Sequence, residues 1–357
     1  MQEHGFSPGW IEVDLRQYKQ NLNAIWQAKS AGTKIAVVIK DDAYGHGAVE
    51  LGRIAGERGA EFLVVACIAE ARELRHAVIS TPVLVLGERH PSEIAECLQL
   101  KISFTAGSLE TLREINARAK RFGSAARVHL KIDSGMNRYG IRWSEIDSVA
   151  QEIRGLEQIE VEGVLSHFAM SDELDKTFAL LQLNRFERGV EALKQNGITA
   201  KYVHICNSGG LLDLPQAHCN LARVGILGLG VYPSKVCRRL EGIAPIMSVK
   251  ARIAALKQLE PGDCVGYGMR FTASKPMRIA TLGVGYGWGY PRVRNDGWVL
   301  VGGRRCPILG GVSMDAITID VTEVPGVQLW DEAVLLGRQG DAEIDIHEIA
   351  RLKQSVS

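Results

Sequence analysis

Short apolar runs alternate with amphipathic stretches over residues 10–238, and that alternation gives way to closely spaced strand and turn signals from residue 239 onward. Together these observations predict an α/β protein: an N-terminal (β/α)8 TIM-type barrel followed by a mostly β C-terminal domain, to which residues 1–9 are added. The length of 357 residues agrees, because one barrel takes up roughly 250 residues and leaves room for a smaller domain.

The apolar runs are rich in β-branched residues. They are Lys34–Lys40, Glu61–Ala66, Pro82–Leu86, Ile102–Thr105, Arg127–Ile132, Ile159–Leu165 and Lys201–His204. Between them, Leu15–Ala28 and Leu109–Ala119 place apolar residues at three- and four-residue spacing, and Leu180–Lys194 does so more loosely, as helices with one buried face require. Seven or eight such units favour a closed barrel over an open sheet. In the second domain Met247–Ala254, Arg278–Val284, Trp298–Val301 and Ala316–Val321 read as strands. Gly302-Gly303, Gly310-Gly311 and Asn295-Asp296-Gly297 read as turns between them.

Composition narrows the function. Apolar residues make up 46% and charged residues 23% of the chain, ordinary globular usage that excludes a disordered or fibrous protein. The net charge of +1 offers no electrostatic basis for binding nucleic acid or an anionic membrane. No apolar run reaches the roughly 18 residues of a membrane span. Met1–Trp10 has neither a basic start nor an apolar stretch, so no signal peptide is expected. The seven cysteines are scattered without a CxxC pair, which argues against a disulfide framework or a zinc site. A cytoplasmic enzyme with reduced thiols and no metal is the expectation.

Several stretches carry chemistry. In Ile39–Gly47 (IKDDAYGHG) a strand runs out at Lys40 into a polar turn. A barrel's active site lies at the C-terminal ends of its strands, and a desolvated lysine there can form a Schiff base; equally, Lys40 can simply leave the core for water. In Lys131–Gly140 (KIDSGMNRYG), Lys131 and Asp133 share one face of a strand and Arg138 follows on a turn, which also describes a surface ion-pair cluster. His204–Gly210 (HICNSGG) and Ala222–Leu229 (ARVGILGL) are strand ends entering small residues. Ser208 and the N–H groups of Gly225 and Ile226 suit a phosphate, although tight turns need glycine anyway. In the second domain, Val265–Gly268, Gly283–Arg292 and Gly311–Asp315 set aromatics among glycines, with Tyr267 a candidate proton donor or a hairpin residue. GVGYGWG is followed by no helix pattern, so it is no dinucleotide fingerprint, and neither GxxxxGK[ST] nor HExxH occurs.

Taken in order, these motifs resemble the alanine racemase family over nearly the whole chain. Members share Lys-x-x-Ala-Tyr-Gly-His-Gly (Lys40–Gly47 here), Lys-x-Asp-[ST]-Gly-Met-x-Arg (Lys131–Arg138), and His-x-x-Asn-Ser (His204–Ser208). They also share Arg-x-Gly-Ile (Arg223–Ile226), [SG]-Tyr-Gly (Gly266–Gly268), Val-Gly-Tyr-x-x-Gly-Tyr-Pro-Arg (Val284–Arg292) and a late Met-Asp (Met314-Asp315). The resemblance implies a pyridoxal 5′-phosphate enzyme that works as a head-to-tail homodimer with shared active sites. It interconverts L- and D-alanine and supplies D-alanine for peptidoglycan.

By motif position, Lys40 carries the cofactor. Tyr44, Ser208, Gly225 and Ile226 hold its phosphate, Arg223 faces the ring nitrogen with His204 behind it, and His167 lies beside the ring. Lys131 resembles the lysine carbamylated in many members, where it positions Arg138 for the substrate carboxylate. The backbone N–H of Met314 also serves that carboxylate, and Tyr286 lines the entrance. Tyr267 comes from the partner subunit as the second base. Inverting a Cα centre requires a proton to leave one face and another to arrive on the opposite face, which suits two bases, Lys40 and Tyr267. An arginine does not readily protonate a ring nitrogen, which restrains side reactions such as transamination.

Three departures remove no catalytic group: Asp41-Asp42 after the lysine, Leu229 where Tyr is common, and Ser313 where Cys is common. The sequence stops at Ser355-Val356-Ser357, and the Tyr of the Ser-Tyr pair that members commonly carry at the substrate gate would come immediately after Ser357; either the sequence is shortened there or the gate differs, and the expectation is a loosened entrance. The alternatives are a racemase of another small amino acid such as serine, a decarboxylase on the same barrel type, which Arg223 argues against, and a non-catalytic pyridoxal phosphate-binding protein.

Overall fold

The computed structural model describes residues 7–354. Contacts divide the chain into Leu15–Ala244 and a unit formed by the segments on either side of it. The first unit is a parallel barrel. Its strands are β1 (Lys34–Val38), β2 (Phe62–Val65), β3 (Val83–Val85), β4 (Ser103–Ala106), β5 (Ala126–Asp133), β6 (Ile159–Leu165), β7 (Tyr202–His204) and β8 (Leu221–Val224). The hydrogen-bonded order is β8-β1-β2-β3-β4-β5-β6-β7. At the β7–β8 seam the side chain of Asn220 accepts from Val203 N–H (2.7 Å) and donates to the Lys201 carbonyl (2.8 Å). The Arg223 N–H completes the seam by donating to the Cys206 carbonyl (3.0 Å).

Alternate residues point inward, and Ala36, Phe62, Val64, Leu84, Tyr202 and Leu221 pack together there. The remaining faces of the strands meet helices. Leu15–Ala28 buries Tyr18, Asn21, Leu22 and Ile25, the three- and four-residue spacing read from sequence. Leu109–Phe122 starts where the Ser108 hydroxyl accepts the Thr111 N–H and stops at Gly123, whose φ of 78° closes the last turn without a Cβ clash.

The second unit is antiparallel. Its centre is β9 (Met247–Leu259), flanked by β10 (Met277–Leu282), β11 (Trp298–Val301), β12 (Arg304–Pro307), β13 (Ile317–Asp320), β14 (Glu332–Gln339) and β15 (Ala342–Ile344). The order is β12-β11-β14-β9-β10-β13. Register breaks in β9 between Val249 and Lys250 and between Ile253 and Ala255 mark bulges that bend this long strand. Gly9–Val13 pairs with Ala251–Met247. Residues 10–13, assigned to the barrel from sequence, therefore lie in the C-terminal sheet, and the compact barrel unit starts at Leu15. Nothing within these few residues assigns them to one sheet or another; the pairing with β9 does so.

Candidate active site

Lys40 follows β1 at the rim where the strands end. The run Lys34–Lys40 was expected to stay extended throughout, but the strand stops at Val38. Beyond it Asp41, Asp42, Ala43 and Tyr44 all adopt left-handed backbone, with φ of 54°, 52°, 52° and 55°. Each L-residue costs about 1–2 kcal/mol there, so the turn needs support. Ala43 N–H donates to the Ile39 carbonyl (2.9 Å), and His46 and Gly47 N–H both donate to the Asp42 carbonyl. The Asp42 carboxylate accepts the Ala48 N–H (2.7 Å), and the Glu70 carboxylate accepts the N–H groups of Asp41 and Ala66.

This turn sends Tyr44 back across the rim. Its hydroxyl lies 2.7 Å from the place a Cβ on Gly225 would take, and Gly225 N–H donates to Ser208 Oγ (3.2 Å). Burial, with Asp41 adding to it, pushes the Tyr44 phenol up to about 12. It therefore stays a neutral donor at any physiological pH. Ile226 stands next in a tight turn, its carbonyl accepting from the N–H groups of Leu229 and Val231.

Along β5 the side chains of Lys131 and Asp133 share the inward face. The Asp133 carboxylate accepts the N–H groups of Gly135 (2.9 Å) and Asn137 (3.0 Å) and so shapes the turn that presents Arg138. Gly140, at φ 118°, brings that turn back against the strand: a Cβ there would stand 2.7 Å from Asp133 N. Burial, followed by the charges of Arg223 and Arg138, drops the Lys131 amine to about 7.

Arg223 on β8 is buried, 4% exposed. Its Nη1 donates to His204 Nδ1 (2.7 Å) and its Nη2 to His167 Nδ1 (3.1 Å) and the Ser166 carbonyl (2.7 Å). Burial brings the guanidinium down to about 10, so it remains charged at neutral pH. These bonds use the terminal nitrogens and leave Nε–H for a group in the mouth. His167 is held well below the ordinary imidazole range, by burial first and then by Arg223, Lys131, Arg138 and Lys40.

The Lys40 amine lies 3.4 Å from the Asp41 carboxylate and 5.9 Å from the centre of the Tyr44 ring. One amine, a hydroxyl-lined cradle that a Cβ would fill, and a buried guanidinium with a spare donor fit an aldehyde that carries a phosphate and an aromatic nitrogen. Pyridoxal phosphate is that molecule, and the residues present suit it.

The other expected residues lie together in the C-terminal unit. Tyr267 is 85% exposed and Met314 58%. Gly310 packs so closely under the turn before Tyr267 that a Cβ would be 2.7 Å from the Val265 carbonyl. Tyr286 N–H donates to the Ser313 carbonyl (3.0 Å) and Gly287 N–H to the Met314 carbonyl (2.9 Å). Residues 310–314 thus tie the turns bearing Tyr267 and Tyr286 to Met314. The expectation of a loosened entrance concerns Ser355–Ser357, which lie outside the described residues. Sequence reading missed His129 and Glu162, which lie beneath Arg223; His129 was accessible through the same period-two count that linked Lys131 to Asp133.

The barrel and its rim define a class, the pyridoxal phosphate enzymes built on an α/β barrel. Comparison with known proteins narrows it. Residues 13–233 match the model of the alanine racemase N-terminal domain and residues 246–357 that of the C-terminal domain. The alanine racemase of Syntrophobacter fumaroxidans is 42% identical over 349 residues, 98% of this chain and 93% of that one. The alanine racemase of Geobacter sulfurreducens is 40% identical over 334 residues, covering 92% and 87%. The solved alanine racemase of Clostridium difficile 630 superposes with a TM-score of 0.93 at 34% identity, covering 99% of this chain and 92% of that one. The chain belongs to the alanine racemase family. It is a pyridoxal phosphate-dependent isomerase that interconverts L- and D-alanine.

Gly225→Ala places a methyl 2.7 Å from the Tyr44 hydroxyl and forces the tyrosine away from the phosphate position. Loss of one hydrogen bond to a charged group costs about 1.5–3 kcal/mol. The expected result is cofactor retention weakened about tenfold or more, read by titrating pyridoxal phosphate into stripped enzyme. Unchanged affinity would remove Tyr44 and Gly225 from the phosphate site.

Proposed function

We propose that the racemisation proceeds by two bases, Lys40 from the barrel and Tyr267 from the C-terminal unit of a partner subunit. The supporting observation is the convergence of Lys40, Arg223 and the Tyr44–Gly225–Ser208 cradle at one rim, while Tyr267 stands exposed in the other unit. In this reading Lys40 holds the cofactor carbonyl, Tyr44, Ser208, Gly225 and Ile226 take the phosphate, and Nε–H of Arg223 meets the ring nitrogen. His204 supports Arg223 and His167 lies beside the ring. When bound, pyridoxal phosphate supplies the electron sink that makes the alanine α-proton removable. Arg138 and the Met314 N–H orient the substrate carboxylate, and Tyr286 lines the entrance. Lys40 and Tyr267 move protons on opposite faces of Cα without the substrate turning over.

The exposed side chains of Tyr267, Met269, Tyr286, Trp288 and Met314 form the kind of apolar surface that a second copy covers, so we read the enzyme as a homodimer with shared sites. No helix among the described residues is long and apolar enough to cross a membrane. We place the enzyme in the cytoplasm, feeding D-alanine to peptidoglycan synthesis. The experiment is to supply pyridoxal phosphate with L-alanine, or with L-serine in parallel, and follow the D-isomer by chiral chromatography. Rapid turnover of alanine supports the reading; turnover of serine alone overturns the substrate.

Lys131 is set up to carry a carbamate. A lysine neutral near pH 7 has a free lone pair for the carbon of CO2; the N–C bond forms, one proton leaves, and a carboxylate results. That anion would answer Arg138 and Arg223, which already depress the amine. In CO2-free buffer a second effect should be measurable. The folded protein holds Lys131 at about 7, and an unfolded chain holds it near 10.4. Between those values the unfolded state binds more protons, so stability rises with pH. The penalty is full below about 7 and gone above the unfolded value. Denaturation of wild type and Lys131→Met across that range should show the rise only in wild type; parallel curves would contradict it.

A further inference from the structure

Beneath the rim, the interior of the barrel holds a line of polar side chains for which proton transfer at Cα has no use. Arg223 Nη1 donates to His204 Nδ1 (2.7 Å), His204 Nε2 meets His129 Nδ1 (2.8 Å), and His129 Nε2 meets Glu162 Oε2 (3.1 Å). The Ser103 hydroxyl donates to that same carboxylate oxygen, and Arg127 Nη1 lies 3.9 Å from the other. Both imidazoles have zero exposure. The backbone makes room for the line: a Cβ on Gly163 would stand 2.4 Å from His129 Nδ1. Gly163 has ordinary φ, so space and not conformation keeps it a glycine.

The direction of every bond is fixed by chemistry. A guanidinium only donates, so His204 accepts at Nδ1 and, being neutral, carries its proton on Nε2. That proton is donated to His129 Nδ1, which leaves the His129 proton on Nε2, facing a carboxylate. The chain of donation runs one way, from Arg223 to Glu162. Bonds in such a chain polarise one another. The negative end makes His129, and through it His204, a stronger acceptor for Arg223. Without an acceptor at 162, a buried imidazole could take the other tautomer and present N–H to N–H against its neighbour.

We propose that Glu162 and His129 are positioning residues for Arg223: the line through His204 fixes both imidazoles with the proton on Nε2 and holds the guanidinium as a fixed donor to the cofactor ring. The role extends the reading of Arg223 given above and rests on it. Glu162→Gln keeps an acceptor oxygen and removes the charge. It should weaken the pull on His129 without breaking the line.

The test uses holoenzyme labelled with 15N at histidine. In wild type, His129 and His204 should both appear with the proton on Nε2 and stay neutral from about pH 6 to 9. Glu162→Gln should move the His204 Nδ1 resonance toward that of a free acceptor. It should lower kcat for alanine several-fold, because the line is weakened and not broken, with KM within about twofold. Ser103→Ala removes a competing donor from the carboxylate and should shift the same resonance in the opposite sense, which a purely space-filling role does not do. A proton on Nδ1 of either ring, an imidazole charged at pH 7, or unchanged kcat in Glu162→Gln overturns the proposal. Where Glu162→Gln fails to fold, the wild-type tautomers and the Ser103→Ala shift decide. Failure of the cofactor reading would look different: Lys40→Ala would stay active while these nitrogen shifts behaved as described.

Discussion

Lys40→Ala should end racemisation in both directions and abolish the covalent hold on the cofactor, so that borohydride no longer fixes pyridoxal phosphate to the chain. The amine has two jobs in the proposed reaction, as the group that bonds the cofactor and as the base on one face of Cα. Acid–base assistance alone contributes about 10²–10⁴-fold, and loss of the covalent link adds to that, so the expected loss is at least about ten-thousandfold. The structure sharpens the comparison with the other lysine at the rim. Lys131 is buried and lies among Arg223 and Arg138, and together these hold its amine at about 7, so it too is a candidate nucleophile near neutrality. What favours Lys40 is placement. It follows β1, 5.9 Å from the ring of Tyr44, and Tyr44 in turn reaches the Gly225 cradle. Retention of about a hundredth of wild-type activity in Lys40→Ala, or borohydride labelling at Lys131, would reassign the cofactor lysine.

Why the amine and the cradle come together was only half legible in the sequence. The run KIAVVIK announced a buried strand ending near a lysine, and β1 is there. The left-handed turn that follows was not legible, because Asp41, Asp42, Ala43 and Tyr44 carry no propensity for positive φ as a group; only Asp tolerates it locally. The turn exists because Glu70, from the next βα unit, takes the N–H of Asp41 and the Asp42 carboxylate takes the N–H of Ala48. Local signals could not report a partner nearly thirty residues away. Lys131 and Asp133 were readable as a pair because strand side chains alternate. His129 follows by the same count, but its partners His204 and Glu162 lie on other strands, and periodicity along one strand says nothing about neighbours across a barrel. The strand Gly9–Val13 shows the same limit: its partner, β9, lies more than two hundred residues away, and no local signal reports it.

Tyr267→Phe should lower turnover strongly, by about 10²–10⁴-fold, while the cofactor stays bound through barrel residues the substitution does not touch. The phenol is 85% exposed in its own unit, raised on a turn between Gly266 at φ 69° and Gly268 at φ 73°, so removing its oxygen leaves no buried group without a partner. The loss should therefore fall on activity and leave the melting temperature unchanged. L- and D-alanine are mirror images of equal free energy. Any variant must consequently lose kcat/KM equally in both directions, and steady-state rates cannot tell which base is gone. Hydrogen exchange can. With Lys40 intact and the phenol lost, one face of Cα can still give up its proton and take one back. In deuterated water one enantiomer should exchange its α-hydrogen with retention, faster than it inverts, and the other should exchange no faster than it inverts. Equal exchange into both enantiomers would mean a single group serves both faces, and the two-base reading would fall even if turnover had dropped.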